Sequence, residues 1–96
     1  MKFMVTWRIH DEHRESGFKT FSNMTEADDK ADHGPNIKLI GRWHDLAQFT
    51  GVAIFETDDS AAMANWVLNW NSIIDAEVTP VVDDAEARAI GKARPS

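Results

Sequence analysis

The 96-residue chain contains no cysteine, which excludes a disulfide framework, thiolate chemistry and a zinc ribbon. Basic residues are few and scattered: ten Lys and Arg stand against sixteen Asp and Glu, for a net charge of −6. Nucleic acid and anionic membrane surfaces need a clustered basic face, so neither is an expected partner. Apolar runs extend only a few residues, and a strand pattern begins at once without an apolar leader core. A cytoplasmic protein with no membrane span and no signal peptide is the expectation. Phosphate-cradling glycine motifs are missing, which leaves nucleotide cofactors unsupported. No serine sits in a recognisable nucleophile motif, which removes triad hydrolysis. No cofactor is expected.

What is present suits one modest folded domain. Apolar residues make up 43% of the chain and charged residues 27%, a balance of globular rather than disordered chains. The domain is expected over residues 1–90, with 91–96 a frayed tail. Four tryptophans add large apolar surfaces to its core.

Residues 2–10 alternate, with Phe3, Val5, Trp7 and Ile9 on one side and Lys2, Met4, Thr6, Arg8 and His10 on the other. Period two from the first residues predicts a central strand whose apolar side faces helices. Asp11 and Glu12 read as the acidic first turn of a helix carrying Phe18, Phe21 and Met24, with Gly17 a weak point inside it. Residues 25–36 are polar and acidic and read as a loop ending in His33, Gly34, Pro35 and Asn36, with His33 exposed. Next, Ile37, Leu39, Gly41 and Trp43 alternate with Lys38, Ile40, Arg42 and His44. A connection over 45–51 and a returning strand over 52–57 complete a hairpin, in which Asp45 caps its own turn.

Asp58, Asp59 and Ser60 offer N-caps for the most periodic helix. Met63, Trp66, Val67, Trp70, Ile73 and Ile74 form its single apolar face, for which core packing is the first reading and a flat ligand shelf the second. A last strand spans 76–82, with Pro80 marking an edge or a bulge. A short helix runs from Asp83 to Ile90. The resulting order is an α+β, ferredoxin-like βαββαβ split fold with antiparallel sheet order 4-1-3-2. Both helices pack on one sheet face. The other, with Met4, Ile40 and Phe55 on or near it, is left for a second copy, which predicts a homodimer.

Four stretches carry a family resemblance: Met-Lys-Phe-Met-Val-Thr-Trp at 1–7, Lys-Leu-Ile-Gly-Arg-Trp-His-Asp at 38–45, Phe-Glu-Thr-Asp at 55–58 and Glu-Val-Thr-Pro-Val-Val-Asp-Asp at 77–84. They resemble the DUF3303 family over residues 2–84, and the run from Gly41 to Asp45 is the most specific. The resemblance implies a dimeric α/β barrel, an architecture shared with antibiotic-biosynthesis-type monooxygenases, muconolactone isomerase-like proteins and stress-responsive barrel proteins. It implies no particular reaction.

Strand parity groups Arg8 with His10 and Arg42 with His44. If both pairs face away from the helices, they join Thr6, Glu77 and Thr79 around one polar face, with Glu56 and Trp43 at its margin. Histidines beside arginines and a carboxylate suit acid–base work on an anionic or carbonyl-bearing small molecule. The competing reading makes the same groups hydrogen bonds and ion pairs across a dimer contact. His44 and Asp45 are neighbours on a strand and point apart, so they make no dyad. His10 and His13, with Asp11 and Glu12 between them, read as a solvated helix start rather than a metal site. Three functions stay open: a small-molecule-binding dimer, a cofactor-independent oxygenase or isomerase, and a structural dimer without activity.

Overall fold

A computed structural model describes residues 1–95 and gives strand β1 as Lys2–Ile9, followed by a single 3₁₀ turn at Asp11–His13. Helices α1 (Arg14–Ser22) and α2 (Glu26–His33) lead into the hairpin of β2 (Lys38–Asp45) and β3 (Thr50–Glu56). Helix α3 (Ser60–Leu68), β4 (Ile74–Val81) and α4 (Asp84–Ala93) complete the chain. The four strands form one antiparallel sheet in the order β2-β3-β1-β4, which is the expected 4-1-3-2 read from the other edge. Pro80 lies on edge strand β4, opposite Phe3, where one side of the backbone has no ladder partner to lose.

Alternation along β1 decides what the sheet covers. Phe3 and Val5 are buried, and their partners Phe55 and Ala53 on β3 lie on the same face. With Ile37, Met63 and Trp66 they make the core. Full burial of Phe55, Met63 and Val5 stabilises the fold by roughly 1.5–3 kcal/mol per side chain. Phe55 therefore belongs to the helix-covered face, not to the open face on or near which it is expected. Met4 does lie on the open face, opposite Ile54 and Thr79.

Three further expectations are corrected. Residues 25–36 are not a loop throughout, because α2 occupies most of them. Thr25 accepts from the Asp28 amide (3.1 Å) while Asp28 accepts from the Thr25 amide (2.9 Å), a capping box that starts the helix. His33, its last residue, is not exposed: its side chain keeps 6% of its surface and its ring packs edge-on to Phe55 and Trp66. Finally, the helix carrying Trp66 ends at Leu68 rather than Ile74. Turn bonds from Trp70 to Val67 and from Ile73 to Trp70 keep later apolar residues on the same side without a regular helix.

At the other end of the chain α4 runs to Ala93, three residues beyond its expected stop. Residue 96 of the expected tail lies outside the described residues. No helix among the described residues is long and apolar enough to cross a membrane.

Candidate ligand cavity

One residue out of register in β2 determines where the site forms. Leu39 pairs with Phe55, but Gly41 pairs with Ile54, so Ile40 is an extra residue in a β-bulge. A bulge inverts the alternation that follows it. Arg42 and His44, expected beside Arg8 on the open face, instead sit opposite Ala53 and Gly51 on the covered face. Trp43 turns outward and keeps 60% of its surface exposed. Its ring lies over Gly41, where a Cβ would come within 2.4 Å of it.

The predicted polar set is thereby divided. Thr6, Glu77 and Thr79 share the open face with Trp43 and, at one end, Glu56. Arg8 lies there too and reaches Asp11 at 3.9 Å. His10 falls just past β1 and bonds the Asp75 carboxylate at 3.0 Å. That bond, more than any other cause, raises the imidazole above its ordinary pKa. Asp45 caps its turn as expected, with Oδ1 accepting from the amides of Ala47 and Gln48 at 3.0 and 3.3 Å. Among the described residues no group of three or more His, Asp or Glu side chains could hold a metal ion.

On the covered face, a cavity of about 80 Å³ opens between the sheet and the helices. Its aromatic walls are Trp7, Phe21, Trp66 and Trp70, and Ile9, Ile73 and Ile74 close one side. Trp7 reaches this position because Gly51 stands opposite it. A Cβ there would lie 2.1 Å from the indole ring, so only glycine leaves the ring its place.

Four polar side chains line the cavity. Arg42 donates from both terminal nitrogens to Asp29, at 2.9 and 3.2 Å, and its guanidinium lies 4.8 Å from the centroid of the Phe21 ring. This bidentate pair ties β2 to α2 and leaves no net charge. His44 packs between Trp7 and Phe21, with centroids 5.5 and 4.7 Å away, while its outer edge reaches solvent. Partial burial first, and the nearby Arg42 charge second, hold its imidazole below the ordinary pKa. At neutral pH the ring is then uncharged and able to accept a proton.

Asp32 is the fourth group, and sequence reasoning passed over it as part of a polar loop. Its Oδ2 accepts from the indole N–H groups of Trp66 and Trp70, both at 2.8 Å. The Asn69 amide donates to Oδ1 at 3.4 Å. One carboxylate on α2 therefore orients two tryptophans on and just beyond α3. Asp29 and Asp32 are three apart, as same-face residues of a helix are. That spacing was readable once residues 26–33 were taken as a helix.

The family described as a domain of unknown function (DUF3303) matches residues 1–94, nearly the whole chain. The chain belongs to the DUF3303 family. No curated protein matches this DUF3303 domain, so the chemistry of its cavity is read from its own residues. Within the Gly-Arg-Trp-His-Asp run that marked the resemblance, Arg42 and His44 line the cavity, Gly41 and Trp43 lie on the open face, and Asp45 shapes the turn.

Proposed function

We propose that this DUF3303 domain binds a small, largely flat molecule in the cavity between its sheet and its helices. The observation that carries this reading is the lining: four aromatic side chains around a few polar groups, the composition typical of small-molecule sites. Arg42, which favoured an anionic ligand at the level of sequence, already has Asp29 as its counter-ion. A carbonyl or other hydrogen-bonding group suits His44 better.

Trp43 lies outside the cavity, whereas Trp7, Trp66 and Trp70 line it. A Trp43→Phe variant thus reports the cavity alone. Thermal-shift screening of aromatic and carbonyl metabolites, followed by fluorescence titration of that variant, should yield ligands that both raise Tm and alter the emission. Hits that change Tm but leave the emission untouched would place binding elsewhere and sink the proposal.

His44 favours a second reading, a cofactor-independent enzyme of isomerase type, since a neutral imidazole at a cavity mouth is placed to move a proton. A carbonyl ligand from the screen would then exchange its acidic C–H hydrogens in D₂O with the wild type and not with His44→Ala. Equal exchange in both proteins rules this reading out.

The working form in this proposal is a homodimer of ferredoxin-like protomers. Its support is the element order together with an open sheet face on which Met4, Val52 and Ile54 are only half-buried and Trp43 is exposed.

A further inference from the structure

The charges around the cavity do not cancel. Arg42 neutralises Asp29, and His44 carries no charge at neutral pH. The ion pairs among the described residues leave Asp32 without a cation. Its hydrogen bonds come from two indoles and an amide. Those groups orient and stabilise a carboxylate but do not neutralise it. A carboxylate offers about four acceptor positions. Oδ2 has two short bonds, whereas Oδ1 has a single long side-chain contact at 3.4 Å, so acceptor capacity remains on the cavity-lining group.

Aromatic rings line the cavity beside this charge, and Trp66 and Trp70 turn their N–H edges to it. Trp66 and Trp70 are fixed beside Asp32 by their own N–H groups, with Trp7 and Phe21 lining the same cavity. The negative faces of such rings attract cations, most strongly where water is excluded. Phe21 already has the Arg42 guanidinium 4.8 Å from its centroid, so one wall of the site is already used in this way. A ligand anion would meet an uncompensated carboxylate, and a neutral ligand would leave the charge unanswered. An ammonium group would satisfy Oδ1 and lie among the indoles.

We infer that the cavity takes an organic cation: a small primary amine whose ammonium group pairs with Asp32 among Trp66, Trp70 and Trp7, its apolar part directed toward Phe21. The inference rests on the proposal that the cavity binds small molecules and names their class. At about 80 Å³, the space admits a head group of a few heavy atoms, with a ring or short chain extending to the mouth.

Three probes of one shape and different charge test it: benzylammonium, benzyl alcohol and benzoate, titrated into the full ¹⁵N-labelled chain with the indole N–H resonances as readout. Benzylammonium should shift the Trp66 and Trp70 resonances and bind at least about tenfold tighter than benzyl alcohol, with benzoate weakest. Asp32→Asn, which keeps an acceptor oxygen and removes the charge, should bring benzylammonium to the level of benzyl alcohol. Equal or tighter binding of benzyl alcohol or benzoate overturns the cation inference and leaves the binding proposal standing. If none of the three moves an indole resonance, both fall. Should Asp32→Asn fail to fold, the ranking of the three probes on the wild type decides the matter alone.

Discussion

His33 carries one of the two buried side-chain atoms without a hydrogen-bond partner among the described residues, Arg14 Nε being the other. Asp29 approaches the His33 Nε2 only to 3.7 Å. Burial is the main cause holding this imidazole below its ordinary pKa, with Arg42 adding to the effect and the two nearby carboxylates opposing it. A base with a depressed folded pKa contributes stability that is present above the unfolded value, about 6.5, and lost as pH falls toward the folded value. His33→Phe keeps a ring against Phe55 and Trp66 and removes the orphaned nitrogen. It should raise stability at pH 7 by about 1 kcal/mol and flatten the loss on acidification below about pH 6.5. Urea melts at pH 5 and pH 7 measure both, and an unchanged acid slope would refute the assignment. His10 has the opposite sign: its raised pKa gives stability that is full below the unfolded value and lost as pH rises through the folded one. The stability lost on His10→Gln should therefore be largest at low pH and shrink as pH rises through the raised pKa, which urea melts across that range measure. Arg42, 17% exposed against Asp29 at 19%, is a third case. Arg42→Ala leaves a half-buried carboxylate unpaired and should lower stability by roughly 1.5–3 kcal/mol.

Among the elements, β2 shows most clearly what the sequence could not state. Its alternation is regular on paper, and only pairing with β3 reveals that Ile40 is surplus. A bulge has no composition of its own when the extra residue is as apolar as its neighbours. Parity therefore placed Arg42 and His44 on the wrong face while correctly separating them from Trp43. Helix α2 was hidden for a different reason: its residues are polar, and no apolar stripe announces it. Its capping box from Thr25 to Asp28 is the signal in the sequence that marks its start. Strands β1 and β4, the sheet order and the Asp45 turn were readable because alternation, an edge proline and Asx-turn chemistry each point one way. Deleting Ile40 tests the bulge directly. Pairing with β3 would then be regular from Leu39 to Asp45, with Arg42 still opposite Ala53 and His44 still opposite Gly51, so the Asp29 pair and the cavity wall should be kept. The expected result is a folded protein that keeps cavity binding, whereas loss of binding would show that the extra residue is itself needed to shape the wall. Helix α1 offers a gain instead. Gly17 is buried, yet a Cβ there would meet Ile9 and Ile73 at 3.5 Å, ordinary contact distance. Gly17→Ala should stabilise the protein by about 0.5–1 kcal/mol, measured by chemical denaturation.

At the scale of the whole molecule, helices α1, α2 and α3 lie on the face of Phe3, Val5 and Phe55, while α4 is tied through Asp83 and Glu86 to Lys2 at one end of the other face. The opposite face offers Met4, Val52, Ile54 and Trp43, flanked by Thr6, Thr79 and Glu77. A two-fold contact through that face would bring identical patches together, burying apolar surface around the exposed Trp43 ring and leaving both ligand cavities free on the outer layers. Each copy carries a net charge of −6, so the approach is opposed by mutual repulsion that salt screens over about 8–10 Å. Sedimentation should accordingly find twice the chain mass at micromolar concentration, with dissociation favoured at low ionic strength. Ile54→Asp places a carboxylate at the centre of the patch on both partners. It should give a folded monomer, since in one protomer alone the new charge faces water. Its fluorescence response to cavity ligands should survive, because Ile54 and the cavity lie on opposite faces of the same sheet. A wild type that sediments as a monomer across this range would remove the dimer, whereas an Ile54→Asp variant that still dimerises would move the contact to another surface.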